Sequence, residues 1–390
     1  MNKILYLGHY RERNTGWSNI TKSHILALDS AGYDVVCRPV RLSEKDCELP
    51  QRILELEEKD DKDCDILIEH LLPHHMEWRS GFKKVVGIYY SETDNLPSEW
   101  STKLGLLDEL WVCNSQMVDA ARKSGITKPV HIVPPPIDTS KFERTYPDFK
   151  SVKDKTCEDF TFLYVGEIHR RKNLSSIVKA FAAEFTTNEP VSLIIKPYKF
   201  NTSQQELENT VNKLCEEVKH GLKLYTNIND YKKEIIVSDY LSEEDLMSLH
   251  STCDCLVSNS YAEALGLSII DSMGLGKLVI ANKVGWARKI LKGYNEFDKS
   301  EPFWKDWANS LTITEHEQIL EPVFGMNEGF PFLFTGKENW WQGSTTALMN
   351  RMRMAYEMSK EDKEIIGKEA INTLYEYSYK NFVQRIKELI

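Results

Sequence analysis

The sequence predicts an α/β protein built from two doubly wound, Rossmann-like domains, and three observations carry that reading. Short apolar runs alternate with longer amphipathic stretches along most of the 390 residues, as they do where helices cover parallel strands. The alternation breaks at Pro134-Pro135-Pro136 and through the polar run from Arg144 to Glu158, which reads as a connector. It then resumes as a second series of strands and helices.

In the first series, strands are expected at 3–8, 34–37, 65–69, 84–90, 109–113 and 130–134, with helices near 18–31, 51–59, 98–107 and 115–124. The opening MNKILYLGHY turns polar after a few apolar residues. It therefore reads as the first strand of a cytoplasmic protein, without the apolar core and cleavage site of a secretory leader. The second series places strands at 160–165, 191–196, 234–237, 254–257 and 278–281, and helices near 173–185, 203–219, 242–251 and 265–275. From about 286 to 340 the rhythm fails in a stretch rich in aromatics, Gly and Pro, as in an elaborated loop, lid or binding surface. Three amphipathic helices, near 343–358, 360–375 and 379–390, close the chain. The expected domains are 1–150 and 158–375.

Composition excludes several classes. With 41% hydrophobic residues, 9 Trp, 17 Tyr and 15 Phe, the chain has ample material for buried cores and is not disordered. No window approaches 18 uncharged apolar residues, so no membrane-spanning helix is expected. The formal charge is −10, and neither half is basic, which gives no support to a nucleic-acid partner. The eight cysteines are scattered through apolar runs, Cys253 and Cys255 are too close for a metal half-site, and structural thiols are expected.

The most informative segment is 258–281, SNSYAEALGLSIIDSMGLGKLVIA. A strand leads into a polar loop with Glu263, then Gly266 before a helix that carries Asp271, then Gly274 and Gly276 before another strand. This order sends a helix N-terminus toward the C-terminal edge of a sheet, where its free N–H groups would stabilise a phosphate. A second segment, 163–174, LYVGEIHRRKNL, places Arg170, Arg171 and Lys172 in a loop between a strand and a helix. Cations there suit a diphosphate leaving group.

Both segments resemble the GT-B glycosyltransferases of the family-4 type (retaining, group 1), whose signature is Glu, seven residues, Glu within an EGFGL…EAMACGKPVI-like run. Here the run reads Glu263, seven residues, Asp271. The resemblance implies two domains facing each other across a cleft, with a C-terminal helix at about 376–390 crossing back to complete the first. It also implies roles: Glu263 on the donor sugar hydroxyls, Gly266 and Leu267 offering N–H groups to the phosphates, and Asp271 on the ribose, one methylene shorter than the usual Glu. Lys172 matches the phosphate lysine, with Arg171 beside it. Glu167 stands where the family has Arg, so either Arg170 or Arg171 fills that place or the diphosphate is held more weakly.

The resemblance extends into the first domain. Gly16, in the loop after the first strand, matches the glycine loop that lies against the donor. The run from Gly87 to Val118, with Glu92-Thr93 and Pro97, and then Pro135-Pro136-Ile137-Asp138, also follows the family, although Tyr90, Ser91 and Glu92 replace the His that many relatives carry. Glu92 is a candidate on the sugar or acceptor side. His70, His74 and His75 read as a solvated polar loop without metal-ligand spacing. In the run Asp239 to Leu246, which the family places against the nucleotide base, Ser242 is a candidate N-cap with Asp245 three residues on.

The function implied is a retaining transfer of sugar from a nucleoside-diphosphate sugar, UDP- or GDP-linked, to an acceptor hydroxyl on a glycan, lipid or small molecule, without a metal or other cofactor. Three alternatives stay open at this level: a different enzyme class on the same fold, such as a nucleotide-sugar epimerase or a phosphorylase; a non-catalytic nucleotide-sugar-binding protein; and a viral-type transferase acting on modified DNA bases. Arg79, Lys83 and Lys84 beside Trp78 and Phe82 could touch an anionic membrane surface; a solvated turn is the favoured reading. Trp286, Trp304, Trp307, Trp340 and Trp341 are assigned to packing rather than to a site.

Overall fold

The computed structural model describes residues 2–12, 15–42, 47–157, 159–199, 201–293, 308–323 and 334–390. The chain divides into two compact units, the first of Met1–Thr139, Pro322–Trp340 and Tyr375–Ile390, the second of Ser140–Glu321 and Trp341–Leu374. Each is a Rossmann-like parallel α/β unit, as the alternation of the sequence predicts.

In chain order the first unit runs β1 (Lys3–Gly8), α1 (Gly16–Ser30), β2 (Asp34–Pro39), α2 (Gln51–Glu57), β3 (Ile66–His70), β4 (Lys84–Ile88), α3 (Ser98–Leu104), β5 (Glu109–Val112), α4 (Ser115–Lys123) and β6 (Val130–Ile132). The strands form one parallel sheet in the order β2-β1-β3-β4-β5-β6. β1 is flanked by β2 and β3, so the winding reverses between β1 and β3. Strands this apolar are buried on both faces, and α1 closes one of them with Ile20, Ile25 and Leu28. The Thr15 hydroxyl accepts from the Ser18 N–H to start α1, and Asn114 starts α4 in the same way.

The second unit begins earlier than the composition suggests. Within the polar run read as a connector lies α5 (Lys150–Thr156), with Val152 fully buried. The Phe149 N–H donates to the Thr252 hydroxyl at 2.7 Å. The division therefore falls after Thr139 rather than at 150, because residues 140–157 pack on the second unit. There follow β7 (Phe160–Glu167), α6 (Leu174–Glu184), β8 (Val191–Tyr198), α7 (Gln204–Leu222), β9 (Ile235–Ile236), α8 (Glu243–Thr252), β10 (Cys255–Ser258), α9 (Leu267–Gly274), β11 (Leu278–Asn282), α10 (Ala287–Ile290) and β12 (Leu311–Ile313). Their parallel sheet has the order β12-β11-β10-β7-β8-β9. β7 pairs with β8 on one side and β10 on the other, so here the winding reverses between β7 and β10. Phe162, Ile195, Val257 and Ile280 from four strands share one core with Ile177 and Phe181 of α6.

β12 is a short edge strand inside the stretch where the rhythm fails. After it come β13 (Gln318–Pro322) and β14 (Asn339–Gly343), which pair with each other, then α11 (Thr345–Glu357), α12 (Lys360–Tyr375) and α13 (Tyr379–Ile386). The described residues 322, 323 and 334–340, read from sequence as part of the second domain, group with the first. Asp94 accepts from the Asn339 backbone N–H at 2.8 Å and from its side-chain amide at 3.1 Å. Trp286 and Trp340 are fully buried, whereas Trp304 and Trp307 lie outside the described residues. α13 belongs to the first unit, where Phe382 meets His24 of α1 edge-on.

Candidate functional site

In an open α/β sheet the strand order reverses at a crevice beyond the C-terminal ends of two neighbouring strands, and ligands bind there. In the second unit those strands are β7 and β10. The loop after β7 carries Arg170, Arg171 and Lys172; the loop after β10 carries Glu263. Asn173, in left-handed conformation at φ 53°, turns the first loop into α6. Its side chain donates to the Asn259 carbonyl at 3.0 Å, while the Tyr261 N–H donates to the Arg171 carbonyl at 2.8 Å. These bonds stitch the two loops together.

Their functional side chains consequently meet. Lys172 Nζ donates to Glu263 Oε1 at 2.6 Å, and the Ser260 hydroxyl donates to the same oxygen at 2.7 Å. Arg171 Nη1 lies 3.6 Å from Glu263 Oε2 and donates to the Ala262 carbonyl at 2.7 Å. Burial pushes the Glu263 carboxyl up, yet the charges of Lys172 and Arg171, with the two hydrogen bonds, outweigh it and hold the group below its ordinary value. Glu263 is thus a buried, ionised carboxylate. Gly266, at φ 72°, makes the left-handed turn that opens α9, so the N–H groups of Leu267 and the next residue have no intrahelical acceptor. Two cations, the N-terminus of α9 and an ionised carboxylate are thus gathered at one sheet edge, groups whose chemistry suits an anion and hydroxyls respectively.

Arg170 is drawn elsewhere, into an ion pair with Glu321. Of the two arginines that could replace the missing one at Glu167, it is Arg171 that faces Glu263. Asp271, inside α9, is buried and paired with Lys141, whose Nζ lies 2.6 Å from Oδ1. Sequence reasoning missed Lys141 because it lies 130 residues away, in the apparent connector. It also missed Gly285. At φ 57°, a side-chain carbon on Gly285 would strike the Glu263 carbonyl oxygen, and the neighbouring Trp286 N–H donates to the Ala264 carbonyl at 3.0 Å. The turn after β11 thus backs the Glu263 loop. Its only trace in the sequence is a glycine four residues beyond a strand.

Gly16 is the first residue of α1, and Glu92 is half-buried in the loop leaving β4. Both belong to the first unit. His70 is not a solvated loop residue: it ends β3, fully buried, with Nδ1 2.7 Å from the Tyr6 hydroxyl. His74 is half-buried and His75 exposed. Ser242 caps α8 by accepting from the Asp245 N–H. Near exposed Trp78, Lys83 pairs with Asp65 at 2.7 Å and Lys84 with Glu109 at 3.3 Å, so both cations are already engaged by carboxylates. Among the described residues no group of three or more His, Cys, Asp and Glu side chains is placed to hold a metal ion, and no helix is long and apolar enough to cross a membrane.

Residues 147–318, which contain both loops and α9, match the family model of glycosyl transferases group 1. The chain is a glycosyltransferase. Its group 1 domain supplies the switch-point site, and the solved structures it resembles share its GT-B fold. HepE from Anabaena, in complex with UDP-glucose, superposes with a TM-score of 0.63 at 13% identity, over 100% of this glycosyltransferase and 99% of that chain. Sucrose-phosphate synthase from Thermosynechococcus elongatus gives 0.63 at 14% identity over 100% and 98%. An α,α-trehalose-phosphate synthase (UDP-forming) from Burkholderia xenovorans, in complex with glucose-6-phosphate, gives 0.58 at 11% over 83% and 73%. No curated protein matches the sequence.

Proposed function

We propose that this glycosyltransferase moves a sugar from a nucleoside-diphosphate sugar to an acceptor hydroxyl with retention of anomeric configuration. The observation that carries the reading is the pairing of Lys172 with Glu263 at the β7/β10 switch point, beside the N-terminus of α9. Lys172 and Arg171, with the N–H groups at Gly266 and Leu267, take the diphosphate. As the sugar–phosphate bond breaks, they neutralise the charge that develops on it. Glu263 accepts from the donor sugar hydroxyls, and Asp271 from the ribose. In the first unit Gly16 is assigned to the donor and Glu92 to the sugar or acceptor side.

The acceptor oxygen forms its bond to the anomeric carbon on the face the phosphate leaves. The acceptor proton passes to an oxygen of the departing diphosphate, so no side chain needs to become covalently attached. Because side-chain cations and N–H dipoles meet the diphosphate charge, no metal or other cofactor is assigned to the step. The donor is UDP- or GDP-linked. UDP is favoured by the uridine chemistry of two structural neighbours, HepE with UDP-glucose and the UDP-forming trehalose-phosphate synthase. The acceptor is a hydroxyl on a glycan, lipid or small molecule. The eight free thiols, six of them buried, support a reducing, cytoplasmic setting.

Thermal shifts with UDP, GDP, ADP, CDP and dTDP, each with and without EDTA, test the reading. A selective rise for UDP or GDP that EDTA does not remove is expected, through mass-action stabilisation. NMR of the product from the matching nucleotide sugar should show the donor's anomeric configuration. No shift from any of the five nucleotides overturns the proposal.

A further inference from the structure

We propose that Lys141 is a positioning residue for the donor ribose, holding the shortened Asp271 carboxylate in place and presenting with it a matched donor and acceptor to the vicinal hydroxyls. The inference rests on the reading of Asp271 as the ribose ligand, and it accounts for how an aspartate serves there. Lys141 Nζ lies 2.6 Å from Asp271 Oδ1, with the side chains 26% and 12% exposed. A pair this sheltered is screened less than a surface one.

Lys141 is itself anchored on both sides. Its carbonyl accepts from the Tyr146 hydroxyl at 2.8 Å. The next side chain, Phe142, lies on Gly274, where any side-chain carbon would collide with the ring. Asp271 and Gly274 are three residues apart and share a face of α9. The segment around Lys141 and Phe142 is therefore keyed onto the strip of α9 from which Asp271 projects. Nζ also stands 5.2 Å from the Phe142 ring centroid, a cation–π distance that further restricts it.

Chemistry supplies the rest. A carboxylate alone offers only acceptors to a ribose diol, whereas an ammonium has three hydrogens to donate. With Lys141 on Oδ1, one ribose hydroxyl donates to Oδ2, and the ammonium donates to the oxygen of its neighbour. Removing the charge frees Asp271 to rotate and deletes that donor. The loss then falls on recognition of the diol rather than on the diphosphate.

The test is calorimetric titration of the full chain with whichever of UDP, GDP and ADP binds the wild type most tightly, and with its 2′-deoxy counterpart. The wild type is expected to prefer the ribonucleotide by about tenfold, the effect of one good hydrogen bond. Lys141→Met and Lys141→Gln should each bring the ratio close to one while leaving the deoxynucleotide affinity nearly unchanged, and Lys141→Arg should restore it. A wild-type ratio that persists in both uncharged variants overturns the inference alone. A wild type without preference, or a preference that survives in Asp271→Asn, overturns the ribose reading of Asp271 and the inference with it.

Discussion

Glu263 and Lys172 stand 2.6 Å apart on two loops that leave neighbouring strands of one sheet, and the same Glu263 oxygen accepts from Ser260. The carboxylate therefore ties up the cation assigned to the diphosphate. Glu263→Gln should release Lys172 without removing it. The expected outcome is a nucleoside diphosphate bound at least as tightly as by wild type, with sugar transfer lowered by about 10²-fold. Stability should drop by about 2 kcal/mol, less than for a fully buried pair because Lys172 is 20% exposed. Calorimetry and steady-state kinetics on one preparation check both parts. Loss of nucleotide affinity in Glu263→Gln would contradict this account of the pair.

Gly285 is predicted to be as sensitive as the residues it supports. Alanine there needs a left-handed backbone, costing about 1 kcal/mol, and its side-chain carbon would strike the Glu263 carbonyl oxygen. Gly285→Ala should lower the melting temperature and depress transfer more than an alanine at Gly221, where nothing lies within 4 Å. Equal activity in the two variants would remove Gly285 from the site.

Much of this site was legible because its chemistry lies in two contiguous segments. Glu263, Gly266 and Asp271 follow a strand, a turn and a helix in order, and Lys172 follows the preceding switch-point strand. What could not be read were the contacts that cross the chain. Lys141 pairs with a residue 130 positions on. Which arginine faces Glu263 depends on the left-handed Asn173 and on the bond from Tyr261 to Arg171. In the fold, β12 has only three residues, Leu311–Ile313, at a sheet edge, too few for an alternating pattern to show. α5 was hidden because four of its seven residues, Lys150 to Thr156, are charged, and its burial rests on Val152 and Thr156.

Packing at Gly274 offers a test of the segment after Thr139. Gly274→Ala should destabilise the protein by about 1–3 kcal/mol through overpacking against Phe142, read as a lowered urea midpoint. Phe142→Leu should recover part of the loss in the double variant. If the two changes add as independent effects, the ring does not rest on α9.

Acid sensitivity follows from the first unit's buried histidines. His24 sits edge-on to His70 and Phe382, each 5.1 Å away, and its ring nitrogens have no hydrogen-bond partner among the described residues. Burial lowers it to about 3, and His9 to about 4. Unfolded histidines titrate near 6.5. Below that pH the unfolded chain takes up protons that the folded one refuses, so this stability is complete above about pH 6.5 and lost as pH falls toward 4. Glu69 works the other way: burial raises it to about 7, so its contribution is present at low pH and lost as pH rises through 7. Burial lowers His70 as well, so with three buried histidines against one carboxyl, wild type should be less stable at pH 4.5 than at pH 6.5. His24→Phe should flatten that slope, measured as urea midpoints. An unchanged slope would show that His24 does not stay neutral in the folded protein.

The central claim is that Lys172, at the β7/β10 switch point, neutralises the leaving diphosphate during sugar transfer. The most direct measurement is single-turnover transfer, or release of nucleoside diphosphate, from the nucleotide sugar that stabilises the wild type, compared with Lys172→Met at saturating donor. The account predicts a fall of about 10²–10³-fold with the fold intact. A Lys172→Met enzyme that turns over at the wild-type rate would contradict it.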